Sequence, residues 1–335
     1  MASRSESNRQ ITLAKRPYGT VTPDCFASVE APVPELRAGQ ALVRNVLLSI
    51  DPTIRGWLER DTYLPAIGIG EVVRSGAVAQ VIDSNSPIYP VGAHVFGMTG
   101  WQTYAMIDAE NPVTVLPEGI ELTDAVSVFG ATGLTAYFGL LDVGEPKEGD
   151  TVLVSGAAGA TGSIVGQIAK IKGCRVVGIA GTDEKCAWLT DELGFDATIN
   201  YKTDDVDARI GELCPEGVDV FFDNVGGDTL EVALDHLALN ARIVLCGAIS
   251  TYNDTEPRPG PRNLMNLVTR RSRMEGFLLL DFIDRFAEAA LQLAVWVGEG
   301  AISHRVDIID GLEHAPEALD RLFSGANTGK VVVRV

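Results

Sequence analysis

The run Val154-Ser155-Gly156-Ala157-Ala158-Gly159-Ala160-Thr161-Gly162-Ser163, with glycines at GxxGxxG spacing, constrains this chain more than any other feature. Small residues at such a turn let the backbone approach a pyrophosphate. The start of a following helix then presents N–H groups to the negative charge. The spacing departs from the strict GxGxxG, and a glycine-rich turn can also serve packing alone. The flanking sequence decides its meaning. Thr151–Val154, Arg175–Ile179, Asp219–Phe222 and Arg242–Leu245 read as buried parallel strands, while Ser163–Lys172, Glu184–Leu193 and Leu230–Leu237 have helical spacing. That alternation predicts an α/β fold, a doubly wound parallel sheet with the glycine run at its first βα turn.

The region before it has a different texture. Short Val/Ile/Leu runs such as Gln40–Leu48 and Ala77–Ile82, broken by Pro and Gly, predict a compact all-β region. After a helix over Phe286–Gly298 come a strand at Arg305–Ile309, a short helix at Ala315–Ser324 and a terminal strand at Lys330–Val335. These last elements are expected to pair back into the first domain, which makes the sheet domain an insertion. The stretch Glu256-Pro257-Arg258-Pro259-Gly260-Pro261 reads as a loop close to the substrate.

Charge narrows the partners. Lys plus Arg number 27 against 45 for Asp plus Glu, a formal charge of -18, so a phosphate backbone or an anionic membrane is repelled on average. No apolar run approaches the ~18–20 residues of a membrane span, and Met1–Asn8 is polar with no apolar core of a signal peptide. A cytoplasmic protein is expected. Cysteines 25, 174, 186, 214 and 246 form no CxxC pair and read as reduced thiols.

The tip of the second strand bears on which dinucleotide is bound. An NAD site wants an acid there for the ribose 2′-hydroxyl, whereas a 2′-phosphate wants a cation. Here Ile179-Ala180-Gly181-Thr182 leads into Asp183-Glu184-Lys185. Gly181 and Thr182 leave space, and Lys185 stands one helical turn in. The two acids also suit a helix N-terminus, where they complement the macrodipole. The residues alone lean to NADPH and leave NADH open.

Ordered motifs along nearly the whole chain resemble a known family. They are Asn8-Arg9-Gln10 with Arg16-Pro17, Ser49-Ile50-Asp51-Pro52 with Arg55, Gly133–Tyr137, the glycine turn, Asn200-Tyr201-Lys202, Asp223–Gly227, Cys246–Asn253, Arg273–Phe277 and Asn327–Lys330. The chain resembles the medium-chain dehydrogenase/reductase superfamily, and within it the zinc-independent leukotriene/prostaglandin reductases, alkenal double-bond reductases and bacterial curcumin reductases. The resemblance implies a GroES-like β-barrel domain over residues 1–124 with 300–335, and a Rossmann NADPH-binding domain over 125–299. It also implies that Gly159, Ala160, Thr161 and Gly162 hold the pyrophosphate, with Lys185 and Tyr201 at the 2′-phosphate. Asn224 and the turn Cys246, Gly247, Ala248, Ile249, Ser250, Thr251 and Tyr252 would line the cofactor path. Phe277, Leu278 and Leu279 would flank the nicotinamide, and Asn327 would hydrogen-bond near it. A homodimer is implied as well.

Many members of that superfamily are zinc alcohol dehydrogenases, and a catalytic zinc needs three Cys, His or acidic ligands. Where those enzymes place their first cysteine, this chain has Ser49-Ile50-Asp51-Pro52, and histidines 94, 236, 304 and 314 are dispersed. No metal is expected. The resemblance implies instead NADPH-dependent reduction of the carbon–carbon double bond of an enal or enone, with Tyr252 acting at the developing enolate. A role for Tyr252 as a cofactor anchor alone stays open. So do two other activities, an NADPH quinone reductase and a non-catalytic NADPH-binding protein. Where many relatives have a tyrosine after the Asp-Pro, this chain has Thr53, so Trp57, Tyr63 and Trp101 are considered as pocket aromatics.

Overall fold

The computed structural model describes residues 7–111 and 113–335; most of the polar N-terminal run, residues 1–6, lies outside the described residues. The chain forms two compact units. One holds everything up to Val126 together with Val306–Asn327 and Val331–Val335, and the other holds Ser127–Arg305 with Thr328–Lys330.

The first unit is built from strands β1 (Asn8–Leu13), β2 (Phe26–Ala31), β3 (Ala41–Ser49), β4 (Ala77–Ser84), β5 (His94–Gly97), β6 (Tyr104–Ile107) and β7 (Thr114–Val115). Two short helices accompany them, α1 (Ile54–Glu59) and α2 (Leu122–Val126). Strand β3 is buried along almost its whole length, because successive residues feed different cores: Val43 packs with Ala79 and Val95, Leu47 with Val78, and Leu48 with Ile50 and Ile54. Such two-sided burial explains why apolar residues flank the exposed Arg44 on both sides without strict alternation.

The second unit opens with α3 (Ala131–Phe138) and then alternates strand and helix: β8 (Thr151–Val154), α4 (Ala160–Ile171), β9 (Arg175–Ala180), α5 (Asp183–Asp191), β10 (Ala197–Asn200), α6 (Val206–Leu213), β11 (Val218–Asp223), α7 (Gly227–Asp235), β12 (Leu237–Leu245), α8 (Met265–Arg270), β13 (Arg273–Gly276) and α9 (Phe286–Gly298). The strands pair in parallel in the order β10-β9-β8-β11-β12-β13. The order reverses between β8 and β11, the point where an open α/β sheet presents a crevice at its carboxyl ends. Alternate residues of the central strands enter opposite cores: Val152, Val154, Val220 and Phe222 on one face, Leu153, Val177, Phe221 and Ile243 on the other. Helix α9 also feeds the first of these cores, with Ala289 and Leu293 buried there.

The chain then supplies β14 (Val306–Asp310), α10 (Ala315–Ser324) and β15 (Lys330–Arg334). β15 pairs with β3, and the sheet of the first unit runs β14-β15-β3-β4-β5-β7, with β6 also on β3. This is the GroES-like architecture, completed by the C-terminal strands.

Three sequence expectations shift. Helix α4 begins at Ala160, not Ser163, because the small residues read as loop are themselves the first helical turn. Helix α7 spans Gly227–Asp235 and so ends before Leu237, whose backbone opens β12. Strands β10 and β13 escape the periodicity altogether: each has four residues, and β13, an edge strand, carries exposed Arg273 and Glu275.

Candidate cofactor site

At the first βα turn, β8 delivers the chain to Ser155, after which the backbone folds tightly on itself. Gly159 N–H donates to Gly156 O at 3.0 Å and Ala157 N–H to Ile179 O at 3.0 Å. A Cβ on Gly162 would stand 2.5 Å from Gly156 O and 2.9 Å from Ala157 Cα, so backbone fills the place of a side chain. The returning segment ties down the other side, where Gly329 N–H donates to Ala158 O at 2.9 Å. Gly159 is the N-cap of the twelve-residue α4 and supplies no side-chain cap. A helix end of this kind, with a side-chain-free approach, fits a pyrophosphate.

The tip beyond β9 and β10 is built from side chains. Thr182 Oγ1 accepts from Lys185 N–H at 3.2 Å and starts α5. Asn200 Nδ2 donates to Asp183 at 2.7 Å, engaging the acid that an NAD site would turn to the ribose. Gly181 lies under the Tyr201 ring: a Cβ there would come within 2.9 Å of Tyr201 Cε1. Lys202, absent from the residues picked out by sequence, places its Nζ 5.9 Å from the Tyr201 ring centre. Burial and then the charge of Lys202 hold the Lys185 amine below its usual range, against the opposing pull of Glu184. Two nearby ammonium groups repel each other, and a dianionic phosphate relieves that repulsion. The tip therefore fits a 2′-phosphate. Lys202 was within reach of sequence reasoning, since it closes the motif Asn200-Tyr201-Lys202.

On the other side of the glycine turn, at the end of β11, lies a buried polar joint. Asp223 ends β11 with no exposure. Its side chain accepts from Ser155 Oγ at 2.7 Å, from Val225 N–H at 3.0 Å and from Gly226 N–H at 3.0 Å. Burial pushes this carboxyl up from the ordinary range, while those donors pull it back. Asn224 is fastened to the glycine turn, its N–H on Ser155 Oγ at 2.9 Å and its Nδ2 on Ser155 O at 2.7 Å. The turn after β12 hangs from the same strand: Cys246 and Gly247 N–H donate to Asp223 O at 2.9 and 3.1 Å, and Ser250 N–H to Val225 O at 3.1 Å. A 3-10 turn at Ile249–Thr251 brings Tyr252 round, and the half-buried Tyr252 hydroxyl accepts from Ala248 N–H at 3.2 Å. Asn224 and the Cys246–Tyr252 turn thus form one hydrogen-bonded piece, with Ser155 and Asp223, members of two sequence motifs but assigned no role of their own there, as its centre.

Phe277 packs at the edge of the core, edge-on to Phe282 at 6.3 Å, while Leu278 is exposed and Leu279 begins a 3-10 turn. Asn327 is half-buried in the loop between α10 and β15, in the first unit. In the proline-rich loop, Arg258 pairs with Asp254 at 3.0 Å, and its Nη1 would be 3.1 Å from a Cβ on Gly227. Of the aromatics considered for a pocket, Trp101 is fully buried and Trp57 nearly so, which places both in the core; Tyr63 is exposed, with its hydroxyl 2.8 Å from Thr53 Oγ1.

A doubly wound sheet with this turn, in a chain whose other unit is GroES-like, defines a dinucleotide-dependent oxidoreductase. Residues 9–115 match a family described as "N-terminal domain of oxidoreductase", and residues 160–296 one described as "Zinc-binding dehydrogenase". The chain is 41% identical over 341 residues to the "NADPH-dependent curcumin reductase" of Escherichia coli (strain K12), covering 100% of this chain and 99% of that one. It is 40% identical over 329 residues to "Prostaglandin reductase 1" of Bos taurus, covering 96% and 98%. The crystal structure of CurA in complex with NADPH from Vibrio vulnificus superposes with a TM-score of 0.93 at 42% identity, covering 98% of this chain and 99% of that chain. The chain belongs to the medium-chain dehydrogenase/reductase family, close to its curcumin, prostaglandin and alkenal reductases.

The zinc in one family description does not fit this chain. Among the described residues no group of three or more His, Cys, Asp or Glu could hold a metal ion. Ser49 stands near the start of the first unit's motif with its hydroxyl donated to Asp51, a poor donor set for zinc beside thiolate and imidazole. Among the described residues no helix is long and apolar enough to cross a membrane.

Proposed function

We propose that this chain is a zinc-independent, NADPH-dependent reductase of the conjugated carbon–carbon double bond of α,β-unsaturated aldehydes and ketones. The observation that carries the reading is the placement of Tyr252 on a turn hydrogen-bonded to the end of β11, in the same unit as a lysine-rich strand tip suited to a 2′-phosphate.

Residues 125–299 bind the cofactor, and residues 1–124 with 300–335 serve the substrate. Gly159–Gly162 and the start of α4 take the pyrophosphate, and Lys185, Tyr201 and Lys202 take the 2′-phosphate. Asn224 and Cys246–Tyr252 line the path, Phe277–Leu279 flank the nicotinamide, and Asn327 hydrogen-bonds near it. Bound NADPH supplies the hydride that reaches the β-carbon. Negative charge then gathers on the carbonyl oxygen, and the protein must meet it with a donor held in advance. Tyr252 is that donor: its oxygen already accepts the Ala248 N–H at 3.2 Å, which polarises the hydroxyl toward donating its own hydrogen. The α-carbon takes its proton from Tyr252 or from water, and the product is the saturated carbonyl. A homodimer in the cytoplasm, with no nucleic-acid or membrane partner, completes the proposal; the acidic net charge of -18 favours the last point.

The test is loss of NADPH absorbance with a medium-chain 2-alkenal, an aryl enone, a quinone and a saturated alcohol, with NADH in parallel. Turnover of the alkenal or enone, with NADPH preferred, is expected. Activity confined to the quinone would make the chain a quinone reductase, and NADPH binding without turnover would leave a cofactor-binding protein. Tyr252→Phe should lower kcat by roughly 10²-fold while NADPH affinity moves little.

A further inference from the structure

Asp223 is a carboxylate with no exposure, in a position where an apolar residue would cost less to bury. It cannot reach a substrate from there, so its use lies in what it holds. Its side chain collects Ser155 Oγ, Val225 N–H and Gly226 N–H, and its carbonyl collects Cys246 and Gly247 N–H. Ser155 Oγ, having donated its hydrogen to Asp223, has its lone pairs directed to Asn224 N–H at 2.9 Å. One residue therefore fixes the turn after β8, the turn after β11 and the turn after β12. The last of these carries Tyr252, and the second carries Asn224, whose carbonyl in turn accepts from Ile249 N–H at 3.3 Å.

We infer that Asp223, with Ser155 as its partner, is a positioning residue that sets where the Tyr252 phenol stands for hydride transfer. The inference rests on the reading of Tyr252 given above. An asparagine at 223 keeps the shape but turns an NH2 toward the Gly226 N–H, which now donates to Asp223 Oδ2 at 3.1 Å. The Gly226 N–H keeps only its 3.0 Å bond to the remaining oxygen, with a second donor pressed beside it in place of an acceptor, so the Gly226 turn and its neighbours shift. Displacements of this kind at a reacting centre cost roughly 10²-fold in rate.

The experiment is a double-mutant cycle on the full-length protein with an alkenal and NADPH. Asp223→Asn should lower kcat by roughly 10²-fold and change the alkenal KM by less than about threefold. In the Tyr252→Phe background the same change should cost less than about threefold, because the group it positions is already gone. A purely structural joint would give equal losses in both backgrounds, and that result overturns the inference while leaving the role of Tyr252 intact. An unchanged kcat for Tyr252→Phe alone overturns the reading of Tyr252 and this inference with it. If Asp223→Asn does not fold, Ser155→Ala carries the same cycle: it leaves the backbone donors to Asp223 in place, and a loss of roughly tenfold confined to the Tyr252 background is expected.

Discussion

The carboxyl edge of the parallel sheet is finished in two different ways. Its inner part, at the ends of β8, β11 and β12, is made of backbone: N–H and C=O groups of three turns meet around Asp223, and a glycine stands where any side chain would strike main chain. Its outer part, at the ends of β9 and β10, is made of side chains: Tyr201 covers Gly181, Lys202 stands by the Tyr201 ring and acts on the Lys185 amine, and all three side chains are half-buried or exposed. Backbone sets geometry and tolerates little change, because nothing in it can rotate away. Side-chain charges set which ligand is preferred and can be exchanged without disturbing the fold. The inner edge should therefore fail as structure, and the outer edge as specificity.

The largest effect belongs to the inner edge. Gly162→Ala puts a methyl 2.5 Å from Gly156 O and 2.9 Å from Ala157 Cα, both backbone atoms that can yield only by moving the turn. Overpacking of this sort costs about 1–3 kcal/mol, and the displaced turn can no longer receive a pyrophosphate closely. A fall in the thermal midpoint together with loss of NADPH binding by titration is expected. Normal binding with an unchanged midpoint would break the distinction between the edges.

A smaller and more selective effect belongs to the outer edge. Lys185→Ala and Lys202→Ala should each weaken NADPH binding roughly tenfold, the scale of one charge-assisted contact. Neither should change NADH binding or the thermal midpoint, and fluorescence titration with both cofactors checks this. The Lys185 amine sits below its usual range because of burial first and Lys202 second. It loses its proton at a lower pH than an exposed lysine does. The preference for NADPH over NADH should therefore decline as pH rises through that lowered pKa, at a lower pH than an exposed lysine would set. Lys202→Ala removes one cause of the lowering and should move the decline to higher pH.

The contrast also explains what the sequence disclosed. Strands β8, β9, β11 and β12 are legible as apolar runs because both sheet faces are covered, and Lys185 is legible as a cation where a 2′-phosphate needs one. Strand β13 hides because an edge strand carries charge, and α4 hides its start because small residues that suit a phosphate turn also suit a helix. Asp223 and Ser155 hide for a different reason. A buried carboxylate looks like any surface acid until its donors are known, and the side-chain donor among them is far away in the chain: Ser155 Oγ lies 68 residues from the Asp223 carboxylate it serves. Lys202 was visible in its motif, but only the ring of Tyr201 beside it shows where its charge falls.

The smallest effect sets a thiol of the inner edge against one of the outer. Cys246 is pushed up to about 12, by burial and then by the charge of Asp223. Cys186 on α5 is raised as well, through burial opposed by a hydrogen bond from Thr198. The thiolate is the reactive form, so neither should alkylate readily near pH 8. Treatment with iodoacetamide at about that pH should leave turnover unchanged. As pH is raised, mass spectrometry should find Cys186 modified before Cys246, since the outer thiol needs the smaller rise to ionise. Early modification of Cys246 would mean that the Asp223 joint opens to solvent on the timescale of the reaction, and the inner edge would then be as mobile as the outer one.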